Sequence, residues 1–356
     1  MIRLGAKKLI VCDHSEANLY QITEELNAVS SSLGLPLDIF EAVLGSVTDR
    51  EAMDRIMKDH SVQTVYHAAA YKHVPIVEAQ PEQGVLVNVF GTLNTVESAI
   101  AHGVSHFVLI STDKAVRPTN AMGASKRTAE LILQAIAKRA ENTCISMVRF
   151  GNVLGSSGSV VPKFMSQIRD GGPITLTHPD ITRYFMTIPE AAQLVLQASA
   201  IARGGDVFVL DMGEPIRIAD LASSMVRLCG KRLKSDTGNE SDIEIKLEGL
   251  RPGEKMYEEL FVSGKHVCTD VSKIFTADEV MLEWNQLKPR LDELKELART
   301  AQRSELRSAL LDLAFSGERA QQIMFTEKTA SDKLPQQEQG SSPRSTPVAR
   351  PMALAE

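Results

Sequence analysis

HFVLIS (His106 to Ser111), followed without a break by TDKAVRPTNAMGASKR (Thr112 to Arg127), reads as an apolar strand, a Pro-containing loop and the start of a helix. A strand without polar alternation is covered on both faces, which places it inside a parallel sheet flanked by helices. Outward from it, LIVCD (Leu9 to Asp13), LDIFEAV (Leu37 to Val43), TVYHAA (Thr64 to Ala69) and CISMVRF (Cys144 to Phe150) read as further strands. Between them Glu16 to Ser32, Asp49 to Asp59, Gln83 to His102 and Ala121 to Ala140 carry helical periodicity. The order β-α-β-α-β-α-β-α-β predicts an α/β fold, a doubly wound parallel sheet, over residues 1–150. Ligands of such sheets bind beyond the C-terminal strand ends, so the residues just after Asp13, Ala69, Ser111 and Phe150 become the candidates.

From Gly151 the rhythm changes. A Gly/Ser loop leads to a helix near Val161 to Asp170, and Pro189 opens another at a first-turn position. Short strands DVFVL (Asp206 to Leu210) and IEIKL (Ile243 to Leu247), with a helix from Ile218 to Cys229, suggest a smaller substrate-binding lobe over 151–325, interleaved with the first domain. Residues 326–356, rich in Ser, Pro, Gln and Glu and free of aromatics, are expected to form a disordered tail. The 356 residues carry 39 Lys plus Arg against 45 Asp plus Glu, a net charge of −6, which argues against a nucleic-acid partner. No apolar run reaches the length of a membrane span and the N-terminus does not read as a signal peptide, so the expected compartment is the cytoplasm. Cys12, Cys144, Cys229 and Cys268 form no CxxC pair; they read as buried free thiols, with no metal site.

Five blocks stand out in order: HAAAYKHVP (His67 to Pro75), STDKAVRPTNAMGASKR (Ser111 to Arg127), RFGNVLGSSGSVVPKF (Arg149 to Phe164), TRYFMTIPEAA (Thr182 to Ala192) and LRPGEKMYEEL (Leu250 to Leu260). Together they resemble the CapD-like polysaccharide-biosynthesis proteins, nucleotide-sugar 4,6-dehydratases and epimerases of the extended short-chain dehydrogenase/reductase superfamily. The resemblance runs from about Lys7 to Phe261. It implies a UDP-sugar substrate and an NAD or NADP cofactor on a Rossmann-like domain, with a homo-oligomer as the expected assembly. In the implied dehydration, hydride leaves C4 of the hexose, the 4-keto group acidifies C5, a base takes the C5 proton, an acid protonates the departing C6 hydroxyl, and hydride returns to C6. One acid and one base must therefore lie side by side over the sugar.

The resemblance assigns Asp113 as the acid and Lys114 as the C5 base, with Thr112 as the hydroxyl facing the C4 oxygen. A lysine base near neutral pH needs its pKa lowered by burial or by neighbouring positive charge. Met122 and Lys126 occupy the Tyr and Lys places of the superfamily's YxxxK motif, and the four-residue spacing puts them on one helix face. Methionine carries no proton, so the acceptor at C4 stays open among Thr112, Lys114 and water. Read without the resemblance, Thr112 to Lys114 also describes a turn with a surface ion pair, Met122 a core residue and Lys126 a solvated helix lysine.

Asp13, at a strand end, stands where a carboxylate holds adenosine ribose hydroxyls, which favours NAD over NADP; it equally suits a helix N-terminus. Ser46 and Val47 stand at the adenine position, Ser46 replacing the family's usual Asp. Ala68 and Ala69 are small where a cofactor passes, and Lys72 faces the sugar. Asn152, Arg183 and Arg251 are implied contacts of the UDP-sugar, the guanidinium groups suiting its diphosphate. Only Met1 to Ala6 precede Lys7, so the first strand and Gly-rich phosphate turn are expected to be lacking from this chain. Two readings follow. In one the chain is an N-terminally truncated 4,6-dehydratase or UDP-N-acetylglucosamine 4-epimerase that binds NAD weakly or not at all, the longer members of the family it resembles being membrane-anchored. In the other it is a non-catalytic homologue or partner-binding module.

Overall fold

A computed structural model describes residues 1–234, 242–261 and 266–316; the tail expected over 326–356 lies outside the described residues. The opening half alternates β1 (Leu9–Asp13), α1 (Glu16–Ser32), β2 (Phe40–Leu44), α2 (Arg50–Asp59), β3 (Thr64–His67), then α3 (Val74–Ala79) and α4 (Pro81–Gly84). A π-helical stretch, Val85–Gly91, runs into α5 (Thr92–Ala101), followed by β4 (His106–Ile110), α6 (Ala121–Ala137) and β5 (Cys144–Arg149). Asn120 caps α6 by accepting the Gly123 N–H at 2.8 Å, and Asp49 caps α2 in the same way from Ala52 at 3.0 Å.

The sequence order of elements holds, but the strands divide between two sheets. The main sheet runs β3-β4-β5-β10-β14-β13, where β10 is Asp206–Leu210, β13 His266–Cys268 and β14 Ile274–Ala277. From β3 to β10 it is parallel; β14 and β13 close it antiparallel. β1 pairs with β2 alone and β3 with β4 alone, so each presents one ladder without a strand partner among the described residues. α2 packs on α5, joined by Arg50 to Glu97 at 2.6 Å and by the Asn94 amide to the carbonyls of Val47 and Thr48.

The apolar strands split their side chains between two layers, as a period of two requires. Phe107, Leu109, Ile145, Met147 and Val207 face α5, α6, α10 (Trp284–Arg299) and a helix over residues 303–316. Val108, Val148, Phe208 and Leu210 face α8 (Ile188–Ile201). A third apolar cluster joins α7 (Val160–Arg169), α9 (Ile218–Leu228) and strand β7 (Ile174–Leu176), which pairs with β12 (Ile245–Leu247). The short strands β6 (Asn152–Val153), β8 (Thr182–Arg183), β9 (Phe185–Met186) and β11 (Ile216–Arg217) link these parts in two small sheets, β6 with β9 and β8 with β11.

One expectation is corrected. The four thiols are free, but Cys12, Cys229 and Cys268 are exposed and Cys144 half-buried, because β1 and β13 lie in sheet regions without full cover and Cys229 ends α9 at the surface. Pro81–Ala101 is a 21-residue helical run holding an 18-residue window of mean hydropathy 1.2, long and apolar enough to cross a membrane by composition. Here Val85, Val89 and Val96 are wholly buried in the core, where the run packs against α6.

Candidate functional site

Beyond the C-terminal ends of β3, β4 and β5 lies a cleft of about 480 Å³, within the range of small-molecule sites. Thr112, Lys114, Met122 and Lys126 line it from the β4–α6 segment. Ala68 and Lys72 line it after β3, Asn152 after β5, Arg183 from the short strand over Thr182–Arg183, and Arg251 from the Leu250–Leu260 segment. Asp113, Asp13, Ser46, Val47 and Ala69 do not reach its wall. Nine of the sequence-derived residues thus meet in one place, and the expected adenosine contacts lie apart from them.

The β4–α6 loop is held from both sides. Ser111 N–H donates to Val148 O at 2.8 Å and Asp113 N–H to Phe150 O at 3.1 Å, so the loop continues the β4–β5 ladder for two residues. Gly123 lies on the carbonyl of Lys114; a Cβ there would penetrate that oxygen, which is why the helix can start so close to the loop. Opposite, the Leu250–Leu260 segment is pinned by Gly253 O, which accepts from Thr119 Oγ1 at 2.8 Å and Asn120 Nδ2 at 3.0 Å, and by Lys255 Nζ donating to Val116 O at 2.8 Å. Behind the cleft, Asn88 in the π-helical stretch accepts the Tyr71 N–H at 2.7 Å and donates to Tyr71 O at 3.0 Å and Ser125 Oγ at 2.9 Å, fixing the loop that carries Lys72.

Asp113 is wholly buried and gathers two donors on one oxygen: Lys114 Nζ and Thr112 Oγ1 each reach Oδ1 at 2.9 Å. Its Oδ2 has no hydrogen-bond partner among the described residues. Lys114 also reaches Asn152 Oδ1 at 3.4 Å and lies 4.0 Å from Glu258 Oε1. The lowered pKa that a lysine base near neutral pH requires is not found at Lys114: burial pulls it down, but Asp113 and Glu258 outweigh burial and raise it, so the group stands as an ammonium at neutral pH. Glu258 escaped the sequence reading. Burial, with Asp113 beside it, pushes its pKa up against Lys114, Arg183 and Lys255. The only hint was its adjacency to Glu259 in YEEL, which reads as a solvated helix-like face.

Lys126 is buried and donates to Ile110 O at 2.7 Å; burial lowers its pKa to about 8, with Glu130 opposing. Met122 is both part of the core and part of the cleft wall. His67 is kept neutral, its pKa driven to about 3 by burial and by Lys126. Its Nε2 bonds Thr92 Oγ1 at 3.0 Å; that hydroxyl donates to Asn88 O, so His67 carries its proton on Nε2. Burial likewise lowers the Lys72 pKa.

Arg183 donates to Thr182 O at 2.7 Å and Met256 O at 3.3 Å and pairs with Glu254 at 3.4 Å. The N-terminus of α7 opens on the cleft with Ser159 and Lys163; Ser159 Oγ is buried without a hydrogen-bond partner among the described residues. A helix N-terminus on a cleft that guanidinium and ammonium groups also line suits an anion. For a nicotinamide cofactor the fit is to one half. The Lys126 ammonium has three donors and Ile110 takes one, which leaves a match for a ribose diol beside Ala68 and Thr112. On the adenosine side Asp13 Oδ1 instead accepts the Ser15 N–H at 2.8 Å, and Ser46 shares a 2.8 Å hydrogen bond with Thr48.

The chain is 50% identical over 258 residues to the capsular polysaccharide biosynthesis protein CapD of Staphylococcus aureus, covering 72% of this chain and 41% of that protein. It is 44% identical over 305 residues to the probable polysaccharide biosynthesis protein EpsC of Bacillus subtilis, covering 85% and 49%. The chain therefore spans about half the length of these curated relatives. Among solved structures, Pen from Bacillus thuringiensis matches with a TM-score of 0.66 at 34% identity, over 76% of this chain and 79% of that one. DesIV, the dTDP-glucose 4,6-dehydratase of Streptomyces venezuelae with NAD and TYD bound, matches with a TM-score of 0.60 over 72% and 80%; at 20% identity that likeness is one of fold. The model of the polysaccharide biosynthesis protein family matches residues 1–279. With that match, an α/β fold built on a mostly parallel sheet and relatives of this similarity, the chain belongs to the polysaccharide biosynthesis protein family, related to the nucleotide-sugar dehydratases and epimerases.

Proposed function

We propose that the protein acts on a UDP-N-acetylhexosamine as a 4,6-dehydratase with NAD as its cofactor. The observation that carries this reading is the Asp113–Lys114 pair at the β4 end, in contact at 2.9 Å, with Lys114 on the cleft wall. An epimerisation at C4 asks for no acid at C6, whereas dehydration needs a base and an acid together. The cations that line the cleft, Arg183, Arg251 and Lys163, together with the α7 N-terminus, suit the substrate diphosphate.

When bound, a nicotinamide cofactor supplies the hydride acceptor and donor; Ala68, Thr112 and Lys126 would hold its nicotinamide-ribose half. Thr112 is the hydroxyl that orients the C4 oxygen, and Lys114 the amine that takes the C5 proton. Asp113 does not line the cleft, so its proton reaches the C6 hydroxyl through Lys114 or Thr112, both bonded to the same Oδ1. Moving the ammonium proton from Lys114 to Asp113 creates a neutral amine and a carboxylic acid in one step. The ion pair is thus the resting tautomer of an acid and a base.

The test is incubation with NAD+ and UDP-N-acetylglucosamine followed by mass spectrometry. Loss of one water supports the dehydratase reading; an isomer of unchanged mass identifies an epimerase, and no change favours a non-catalytic module. Lys114→Met should lower the rate of water loss by about 10² to 10⁴-fold, the usual worth of a positioned acid–base group. An undiminished rate overturns the assignment of Lys114.

A further inference from the structure

Glu258 is a buried carboxylate for which neither the dehydration chemistry nor the sequence motifs account. Its side chain is 4% exposed, its Oε1 lies 4.0 Å from Lys114 Nζ and 3.9 Å from Arg183 Nε, and its Oε2 has no hydrogen-bond partner among the described residues. A buried oxygen left unbonded is costly when charged and far less so when it carries a proton. The groups that face it are Asp113, Lys114, Arg183 and Lys255. Two carboxyl groups therefore share one lysine, and Asp113 holds that lysine by the closer contact.

We propose that Glu258 is a positioning residue of the site: by taking up or releasing its own proton, its carboxyl group sets whether the Lys114 amine is charged. The inference rests on the reading of Lys114 as the C5 base. An ionised Glu258 stabilises the ammonium and keeps Lys114 from accepting a proton. A protonated Glu258 withdraws that stabilisation, and the ammonium proton can then pass to Asp113, giving the acid and base that dehydration requires. The proton on Glu258 stays there, so none is consumed. The raised pKa of Glu258 under burial favours this protonated form. Arg183 is paired with Glu254 at 3.4 Å, so its charge is divided between two carboxylates and does not hold Glu258 ionised by itself.

The experiment is competitive acetylation of the protein with acetic anhydride across the neutral and alkaline range, with Lys114 read by peptide mass spectrometry. Only the neutral amine reacts, so the pH midpoint of labelling reports the charge on Lys114 without cofactor or sugar. In the native protein the midpoint should lie above the ordinary lysine value of about 10.4. Glu258→Gln should lower it by about one unit, the lower end of what one nearby charge does, and Glu258→Asp, which keeps the charge, should lower it less. A native midpoint below the ordinary value overturns the inference even if a variant fails to fold. So does an unmoved midpoint in a Glu258→Gln protein whose circular dichroism matches the native chain. A solely structural Glu258 would alter melting and yield while leaving the midpoint in place. If the labelling shifts as stated and no water is lost from the sugar, the charge coupling stands and the dehydratase reading falls. If water is lost and the midpoint is unmoved, the reverse holds.

Discussion

Glu130, four residues beyond Lys126 on α6, is wholly buried and holds the charges behind the cleft in register. Its carboxylate accepts from Arg149 Nε at 2.8 Å and Nη2 at 2.6 Å, from Ser111 Oγ at 2.6 Å and from Arg127 at 3.1 Å. Burial alone would raise its pKa; Arg149, Arg127 and Ser111 outweigh burial and bring it to about 2. A carboxyl group whose folded pKa lies below its unfolded one stabilises the fold fully above the unfolded value, and that stability is lost as pH falls through the folded value. The window here runs from the unfolded 4.5 down to about 2, and about 3 kcal/mol of stability is expected to disappear across it. Glu130→Gln should cost about 3 to 5 kcal/mol at neutral pH, because Arg149 is left buried with a weaker partner, and should flatten that acid slope. Urea unfolding of both proteins at neutral and acid pH decides; parallel slopes would show that another group carries the acid sensitivity.

At the scale of elements, α6 depends on Gly123, the residue that lets its first turn rest on Lys114 O. Gly123→Ala should destabilise by about 1 to 3 kcal/mol and displace Lys114, lowering Lys114-dependent turnover beyond any loss of folded protein. Thermal melting with a turnover assay checks both, and a variant that melts lower yet turns over normally per folded molecule would sever the loop from the helix start. Elements such as α1, β10 and the β4–α6 junction were legible in the sequence, because continuous apolar runs and a clear helical period leave little choice. The helix read over Gln83 to His102 hides a π-helical stretch at Val85–Gly91, since a one-residue shift in phase barely changes the apolar pattern. α10 and the helix at 303–316 went unread: their charged residues outnumber the core leucines, and only tertiary packing shows that Leu287, Leu291, Leu306 and Leu310 are buried. The site was legible where side chains follow strand ends, as with Thr112, Lys114 and Asn152. Glu258 was not, because only folding brings that segment against the loop of Lys114.

For the whole molecule, the family match ends at residue 279, yet one face of the main sheet is closed by helices that come later. Arg303 grips Glu82 at 2.6 Å, and Arg307 reaches Glu78 Oε2 at 2.8 Å while Glu78 Oε1 takes the Ala121 N–H at 2.6 Å. The last described helix is thereby tied through one carboxylate to the start of α6. Leu310, wholly buried on that helix, should cost about 2 to 5 kcal/mol when replaced by Ala, read from the midpoint of urea unfolding. A loss under about half a kcal/mol would mean that the helix is an appendage rather than part of the core.

The π-helical stretch also has a bearing on how the chain tolerates length changes. Such a turn holds one residue more than an α-helical turn, so the helix on its two sides keeps two separate angular frames. Asn88 sits inside the stretch and clamps Tyr71, the neighbour of Lys72. Deleting one residue from Val85–Gly91 would restore ordinary helix and swing that clamp by about 100°, the step of a single helical residue. A gap of one position here, harmless in a surface loop, would thus uncouple a cleft-lining segment from the core without changing any residue that lines the cleft.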